Sequence, residues 1–215
     1  GVIALGTALL LLMLANVKVY SLNAPVQYFI DCKNEQVVVG KYSEGNFKKE
    51  QSFSFSISDT TALYAFFDIQ PTEKVLLYFH SLWGGIRPYH KSSLKYLNDF
   101  QHFDKIIAVL WHTPHIRYQK SWYHAFEEGR KYSPIFEQLF IQNPASISIL
   151  CHSMGHRYFE GVVSQFDWTC NGFDTVVFAA ADLDTNVFDQ NLMMLPYRCR
   201  RLIVLVHQKD RLLQL

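Results

Sequence analysis

The sequence predicts an α/β protein with a doubly wound, mostly parallel β-sheet. Five continuous apolar runs of strand length are typical of parallel strands that are buried on both faces. They span residues 74–79, 105–111, 146–150, 175–180 and 201–206. Stretches with helical spacing of apolar residues lie between them, at 89–100, 120–141 and 154–166. Strands that alternate with helices in this way form a parallel sheet with helices packed on its faces.

The segment before the first apolar run has a different pattern. Residues 26–31 and 36–39 are rich in β-branched or aromatic side chains, and residues 53–58 alternate between apolar and polar. Such patterns are typical of half-buried strands. We expect these segments to form an antiparallel edge to the main sheet. Because no internal repeat or low-complexity linker interrupts the chain, residues 22–215 are predicted to form one domain.

The first residues are predicted to be a signal peptide or a membrane anchor. No charged residue precedes Lys18, and residues 9–14 are all apolar. A signal peptide would place cleavage near residues 19–21. The apolar run is a little short for a membrane span, which needs about 20 residues, and a buried helix is a third interpretation. Residues 1–21 therefore predict an exported protein, secreted or periplasmic, or a membrane-anchored one that associates with the membrane through this segment.

Composition excludes several classes of function. The chain is 49 % hydrophobic with a formal net charge of +1, so a folded core is expected and nucleic-acid binding is not. The spacings of the four cysteines match no zinc or CxxC pattern, and the nine histidines are scattered. We predict no metal site and no cofactor. In an exported protein Cys170 and Cys199 could form a disulfide; otherwise the cysteines are small buried residues.

The turn Cys151-His152-Ser153-Met154-Gly155 carries the strongest functional signal. It lies where an apolar strand ends and an amphipathic helix begins, which is the setting of a nucleophile elbow. Such a sharp turn needs small residues two before and two after the serine, and Cys151 stands where glycine is commonest. The alternative interpretation is that Ser153 only caps the helix, since serine is a good N-cap.

These residues resemble the α/β-hydrolase superfamily, and more narrowly a poorly characterised, mainly bacterial family with a His-Ser-Met-Gly elbow. In this chain the corresponding residues are 152–157. A second segment of the resemblance covers residues 178–188, and a third covers residues 205–211. The resemblance spans about residues 74–215 and implies the α/β-hydrolase fold, with Ser153 as the catalytic nucleophile.

In this fold the triad follows the chain order Ser, Asp or Glu, His. Asp210 follows the second strand after Ser153 and is predicted to be the catalytic acid; the alternative is an exposed turn residue. Asp182 ends the preceding strand and is a competing acid or a pocket residue. The backbone N–H groups of Met154 and Ser81 are predicted to form the oxyanion hole. Trp83 is a candidate for the substrate pocket or a surface aromatic residue.

The expected histidine base is missing from its usual place. It should follow one more strand after Asp210, but all nine histidines precede Asp210. We therefore expect this chain to lack the last strand and the catalytic-histidine loop, with the base outside these 215 residues. His112 or His115 could instead be recruited, since both follow the second long strand. His80 is predicted to be structural.

Two functions follow from these observations. The first is a serine hydrolase that acts on a small-molecule carboxylic ester or a related acyl substrate. The alternative is a catalytically inactive α/β-hydrolase-like binding protein of the cell envelope. Superfamily members typically have glycine after the histidine at position 80, where this chain has Ser81. This departure, the cysteine at position 151 and the missing histidine favour the alternative, whereas the strand–serine–helix placement favours the enzyme.

Overall fold

An eight-stranded β-sheet forms the centre of the molecule in a computed structural model of the chain. The structure describes residues 25–33, 36–43, 49–57, 61–82, 93–112, 117–142, 146–167, 172–180 and 192–205. The strands are β1 (Val26–Lys33), β2 (Gln36–Tyr42), β3 (Lys49–Ser56), β4 (Lys74–Phe79), β5 (Lys105–Trp111), β6 (Ser146–His152), β7 (Phe173–Ala179) and β8 (Cys199–Leu205). The helices are α1 (Thr61–Phe67), α2 (Tyr118–Gln142), α3 (Gly155–Val163) and α4 (Leu195–Arg198), and residues 93–97 are also helical.

The strands lie in the order β3-β2-β1-β5-β4-β6-β7-β8. The six strands from β1 to β8 in this order (β1, β5, β4, β6, β7 and β8) pair in parallel with one another. Strand β2 runs antiparallel to both of its neighbours, β1 and β3. Strands β1 to β3 form the antiparallel edge that the sequence predicts, with β1 joining β5 in parallel. Together with helices on both faces, this sheet confirms the predicted doubly wound, mostly parallel fold class.

Alternate residues of each central strand pack against different helices. On one face, Phe79 and its strand neighbours contact α1, α2 and α3 in the larger part of the core. On the other face, Leu76 and Tyr78 pack with Leu94 and Leu97 of the helical segment at 93–97. Because both faces are covered, every residue of β5 is buried. This double burial is the physical reason for the continuous apolar runs of the central strands. The run at 201–206 differs, because β8 lies at the edge of the sheet and its described residues are half-buried or exposed.

Two glycines bring α2 and α3 into close contact. A Cβ added to Gly129 would lie 3.0 Å from the backbone nitrogen of Val162, and one added to Gly161 would lie 3.0 Å from that of Arg130. Side chains at these positions would force the helices apart, since backbone atoms cannot move independently. The glycines therefore allow α2 to hold the helix that follows Ser153 firmly against the sheet.

Both predictions about the ends of the chain lie outside the described residues. Residues 1–24 and 206–215 are not described. The signal peptide or membrane anchor, and the absence of the last strand, therefore stay predictions. Among the helices of the described ranges, none is both long and apolar enough to cross a membrane.

Candidate active site

The carboxyl ends of β4 and β6 meet at the point where the chain changes direction across the sheet. From β4 the chain continues to β5 on one side, whereas from β6 it continues to β7 on the other. In open α/β sheets the crevice at such a switch point is the usual ligand site. Ser153 directly follows β6, and His80 and Ser81 directly follow β4. The register pairs Phe79 with Cys151, so these residues lie at the same level of the sheet.

Ser153 has a strained backbone conformation. Its φ angle is 49°, in the left-handed region that residues other than glycine rarely adopt, at a cost of roughly 1–2 kcal/mol. Its N–H donates a hydrogen bond of 2.8 Å to the carbonyl oxygen of Ala179, at the end of β7. Such outliers are concentrated at functional sites, where the surrounding structure holds them in place.

The Ser153 side chain does not cap the following helix. Helix α3 has Met154 as its N-cap residue, and no side-chain hydrogen bond caps it. Within the described part of the chain, no hydrogen bond of the Ser153 hydroxyl is found. The helix-capping interpretation of Ser153 therefore lacks the hydrogen bond that it requires.

The two small residues around Ser153 meet different requirements. A Cβ on Gly155 would lie 2.7 Å from the carbonyl oxygen of His80, and closer still to that of Phe79. Gly155 thus lets the start of α3 approach the end of β4. Cys151 is fully buried in the core on the α2 and α3 face. This burial raises the pKa of its thiol well above the usual value, so Cys151 is not a competing nucleophile.

The two histidines beside Ser153 have separate environments. The imidazole Nδ1 of His156 lies 2.8 Å from the carbonyl oxygen of Ser153, and the backbone N–H of His156 donates to the same oxygen at 3.2 Å. A carbonyl oxygen can only accept, so Nδ1 carries the proton. His152 is partly exposed, and burial lowers its pKa. Sequence reasoning overlooked the His156 contact, although its spacing of three residues within a helical turn could have suggested it.

The predicted oxyanion donors follow the two strands that flank the switch point. Met154 begins the turn into α3, and Ser81 lies just beyond β4. Among the described residues, no hydrogen bond from the backbone N–H of either residue is found.

His80 is held as a structural residue. Its ring is buried and stacks on Trp111, with the ring centroids 5.3 Å apart. The Trp111 backbone N–H donates to His80 Nε2 at 3.2 Å, and the indole N–H donates to the His80 carbonyl oxygen at 3.1 Å. Nε2 is therefore an acceptor here, which agrees with the predicted structural role.

The side chain of His112 contacts Asp31 and not Ser153. Its Nε2 lies 2.7 Å from Asp31 Oδ1, and Lys49 Nζ lies 2.9 Å from Asp31 Oδ2. Burial would raise the pKa of Asp31, but hydrogen bonds from these two side chains outweigh it and lower the pKa to about 2. Asp31 is on β1, on the far side of β5 from β4 and β6. The imidazole is thus engaged away from Ser153, which opposes its recruitment as the base.

Four candidate residues lie outside the described residues: Asp210, Asp182, Trp83 and His115. Their predicted roles stay predictions. Beside Ser153, the sequence analysis also missed a strained residue: Ala180 has a φ angle of 50° at the end of β7. An alanine carries no sequence signal for this conformation. Within the described ranges, no group of three or more His, Cys, Asp or Glu side chains could hold a metal ion.

The mostly parallel sheet flanked by helices is consistent with an α/β-hydrolase-like fold. Residues 134–215 match the model of a family described as "Alpha/beta hydrolase of unknown function (DUF900)". This match covers less than half of the chain, from the middle of α2 onward, and includes Ser153. No curated protein matches the chain. The similarity to this family confirms the predicted resemblance to the α/β-hydrolase superfamily.

Proposed function

We propose that the chain is a serine hydrolase that cleaves a carboxylic ester or a related acyl substrate, with Ser153 as its nucleophile. The observation that carries this proposal is the left-handed conformation of Ser153 between β6 and α3, at the switch point of the sheet. A nucleophile elbow has this strained strand–turn–helix geometry because it lifts the hydroxyl above the sheet edge.

The reaction would proceed through an acyl-enzyme. The Ser153 hydroxyl oxygen attacks the carbonyl carbon of the substrate while its proton passes to a histidine base. The backbone N–H groups of Met154 and Ser81 hold the oxyanion of the tetrahedral intermediate. The C–O bond to the leaving group then breaks, and the alcohol leaves with the proton. Water attacks the acyl-enzyme in the same way, which releases the acid and regenerates Ser153.

The base is proposed to be a histidine outside this chain, oriented by Asp210. Among the described histidines, His80 accepts from Trp111, His112 contacts Asp31, and His156 contacts the Ser153 carbonyl. These engagements favour a base other than these three histidines. The acid would keep the imidazole in the correct tautomer and stabilise its charged form.

Labelling with a fluorophosphonate probe tests this proposal on the longest natural form of the chain. We expect one covalent adduct on Ser153, found by mass spectrometry after proteolysis, and none in Ser153→Ala. Ser148→Ala is the matched control, because Ser148 is buried within β6, and it should label like the wild type. An unlabelled wild type would support the catalytically inactive binding protein of the cell envelope instead. Labelling that survives Ser153→Ala would refute Ser153 as the nucleophile.

A further inference from the structure

We propose that His156 is a positioning residue for the reaction: its Nδ1–H holds the Ser153 carbonyl and thereby aims the Met154 N–H at the oxyanion. This inference rests on the proposed serine-hydrolase function. It concerns a side chain three residues after the nucleophile that would not touch the substrate.

Three hydrogen bonds hold the strained backbone of Ser153. Its N–H donates to Ala179, and its carbonyl oxygen accepts from the backbone N–H of His156. Both bonds are between main-chain groups, so they survive substitution at position 156. The third bond, from His156 Nδ1–H to the Ser153 carbonyl oxygen at 2.8 Å, depends on the side chain.

The planarity of the peptide bond links this carbonyl to the oxyanion hole. The Ser153 C=O and the Met154 N–H belong to one peptide group, in which they point in opposite directions. A hydrogen bond that fixes the direction of the C=O therefore also fixes the direction of the N–H. It also polarises the peptide group, which makes the N–H a stronger donor.

The surroundings of the His156 imidazole hold the ring in one orientation. His156 is 1 % exposed, and its ring meets Phe178 of β7 edge to face, with the ring centroids 6.5 Å apart. A buried ring has few alternative rotamers, and its hydrogen bond is electrostatically stronger than it would be in water. Donors that are already oriented contribute most in the transition state, so loss of this bond should lower kcat more than it raises KM.

Two substitutions separate the hydrogen bond from packing of the ring. His156→Leu removes the donor and keeps an apolar side chain of similar volume. His156→Asn keeps a donor, because the amide nitrogen of asparagine is as far from the backbone as Nδ1 of histidine. Each variant is compared with the wild type by its rate of fluorophosphonate labelling, by kcat and KM on a p-nitrophenyl ester, and by its melting temperature.

We expect His156→Leu to lower the labelling rate and kcat at least tenfold with KM within about twofold. His156→Asn should restore both rates to within about threefold of the wild type. Wild-type rates in His156→Leu, or equally slow rates in both variants, would overturn the positioning role and leave the proposed function intact. If the wild type neither labels nor cleaves the ester, the proposed function fails and this inference falls with it.

A nitrogen NMR measurement on the wild type keeps the proposal testable should His156→Leu not fold. The His156 signals are assigned by their loss in His156→Asn. We expect the proton on Nδ1, as its contact with the Ser153 carbonyl requires. A neutral ring with its proton on Nε2 would contradict the hydrogen bond and the inference built on it.

Discussion

A methyl group at Gly155 should separate helix α3 from strand β4. The new Cβ would lie 2.7 Å from the His80 carbonyl oxygen and 2.8 Å from the Phe79 carbonyl carbon, whereas ordinary contacts begin near 3.4 Å. The backbones must therefore separate by about 1 Å, because neither neighbour is a flexible side chain. Overpacking of this kind costs roughly 1–3 kcal/mol, and backbone contacts in the core place Gly155→Ala near the upper limit.

Thermal unfolding and probe labelling measure the two consequences of this substitution. If the substitution costs about 3 kcal/mol of stability, the melting temperature should fall by about 6–12 °C for a chain of this size. The displaced helix start carries Met154 and lies two residues from Ser153. The labelling rate should therefore fall at least tenfold at a temperature where the variant is folded.

Gly161→Ala is the matched control on the same helix. Its Cβ would lie 2.9 Å from the carbonyl carbon of Phe126, on α2, far along α3 from the turn. It should also lower the melting temperature, partly offset by the better helix propensity of alanine, about 1 kcal/mol. Its labelling rate should stay within threefold of the wild type. A Gly155→Ala variant as stable and reactive as the wild type would refute the close approach of α3 to β4.

Three further predictions concern residues around the sheet. The pKa of Asp31 is raised by burial but lowered more by its two hydrogen-bonded partners, from 3.8 to about 2. Asp31→Asn should therefore cost about 2 kcal/mol in urea unfolding at pH 7. The lowered pKa stabilises the folded state fully above the unfolded-state pKa of 3.8. The difference between variant and wild type should therefore shrink as the pH falls from 3.8 through about 2. Glu160 forms a buried ion pair with Arg157, so Glu160→Ala should lower the free energy of unfolding by roughly 3–5 kcal/mol. Adding Arg157→Met should recover part of this loss, because it removes the unpaired charge. A neutral effect of Glu160→Ala would contradict burial of the pair. Cys151→Ala should retain labelling on Ser153, and loss of the adduct would mean that the thiol takes part.

The strands were predictable because burial leaves a direct trace in the sequence. The predicted runs at 74–79 and 105–111 coincide with β4 and β5, whose faces are both covered. Residues 146–150, 175–180 and 201–206 identify β6, β7 and β8 with ends displaced by one or two residues. Strand ends lie at the surface, where the apolar signal fades and hydrogen bonding decides the boundary.

The order of the strands and the contacts between distant residues were not predictable from the sequence. Asp31 and His112 meet only because β1 lies beside β5, with Asp31 opposite Leu110. Periodicity identifies strands but not which of them become neighbours. At the candidate site, the motif around Ser153 pointed to a strained turn, whereas nothing in the sequence indicated the similar strain at Ala180.

Cys151 weakens the match to the superfamily pattern less than its residue type suggests. Glycine is commonest at that position, but the requirement here is for small volume. Cys151 is not among the described residues with positive φ, and its side chain is fully buried between strand neighbours Phe79 and Phe178. At Gly155, in contrast, any Cβ meets the backbone of β4. A small side chain two residues before Ser153 is therefore compatible with the turn. The buried thiol, with its raised pKa, does not compete with the nucleophile proposed at Ser153.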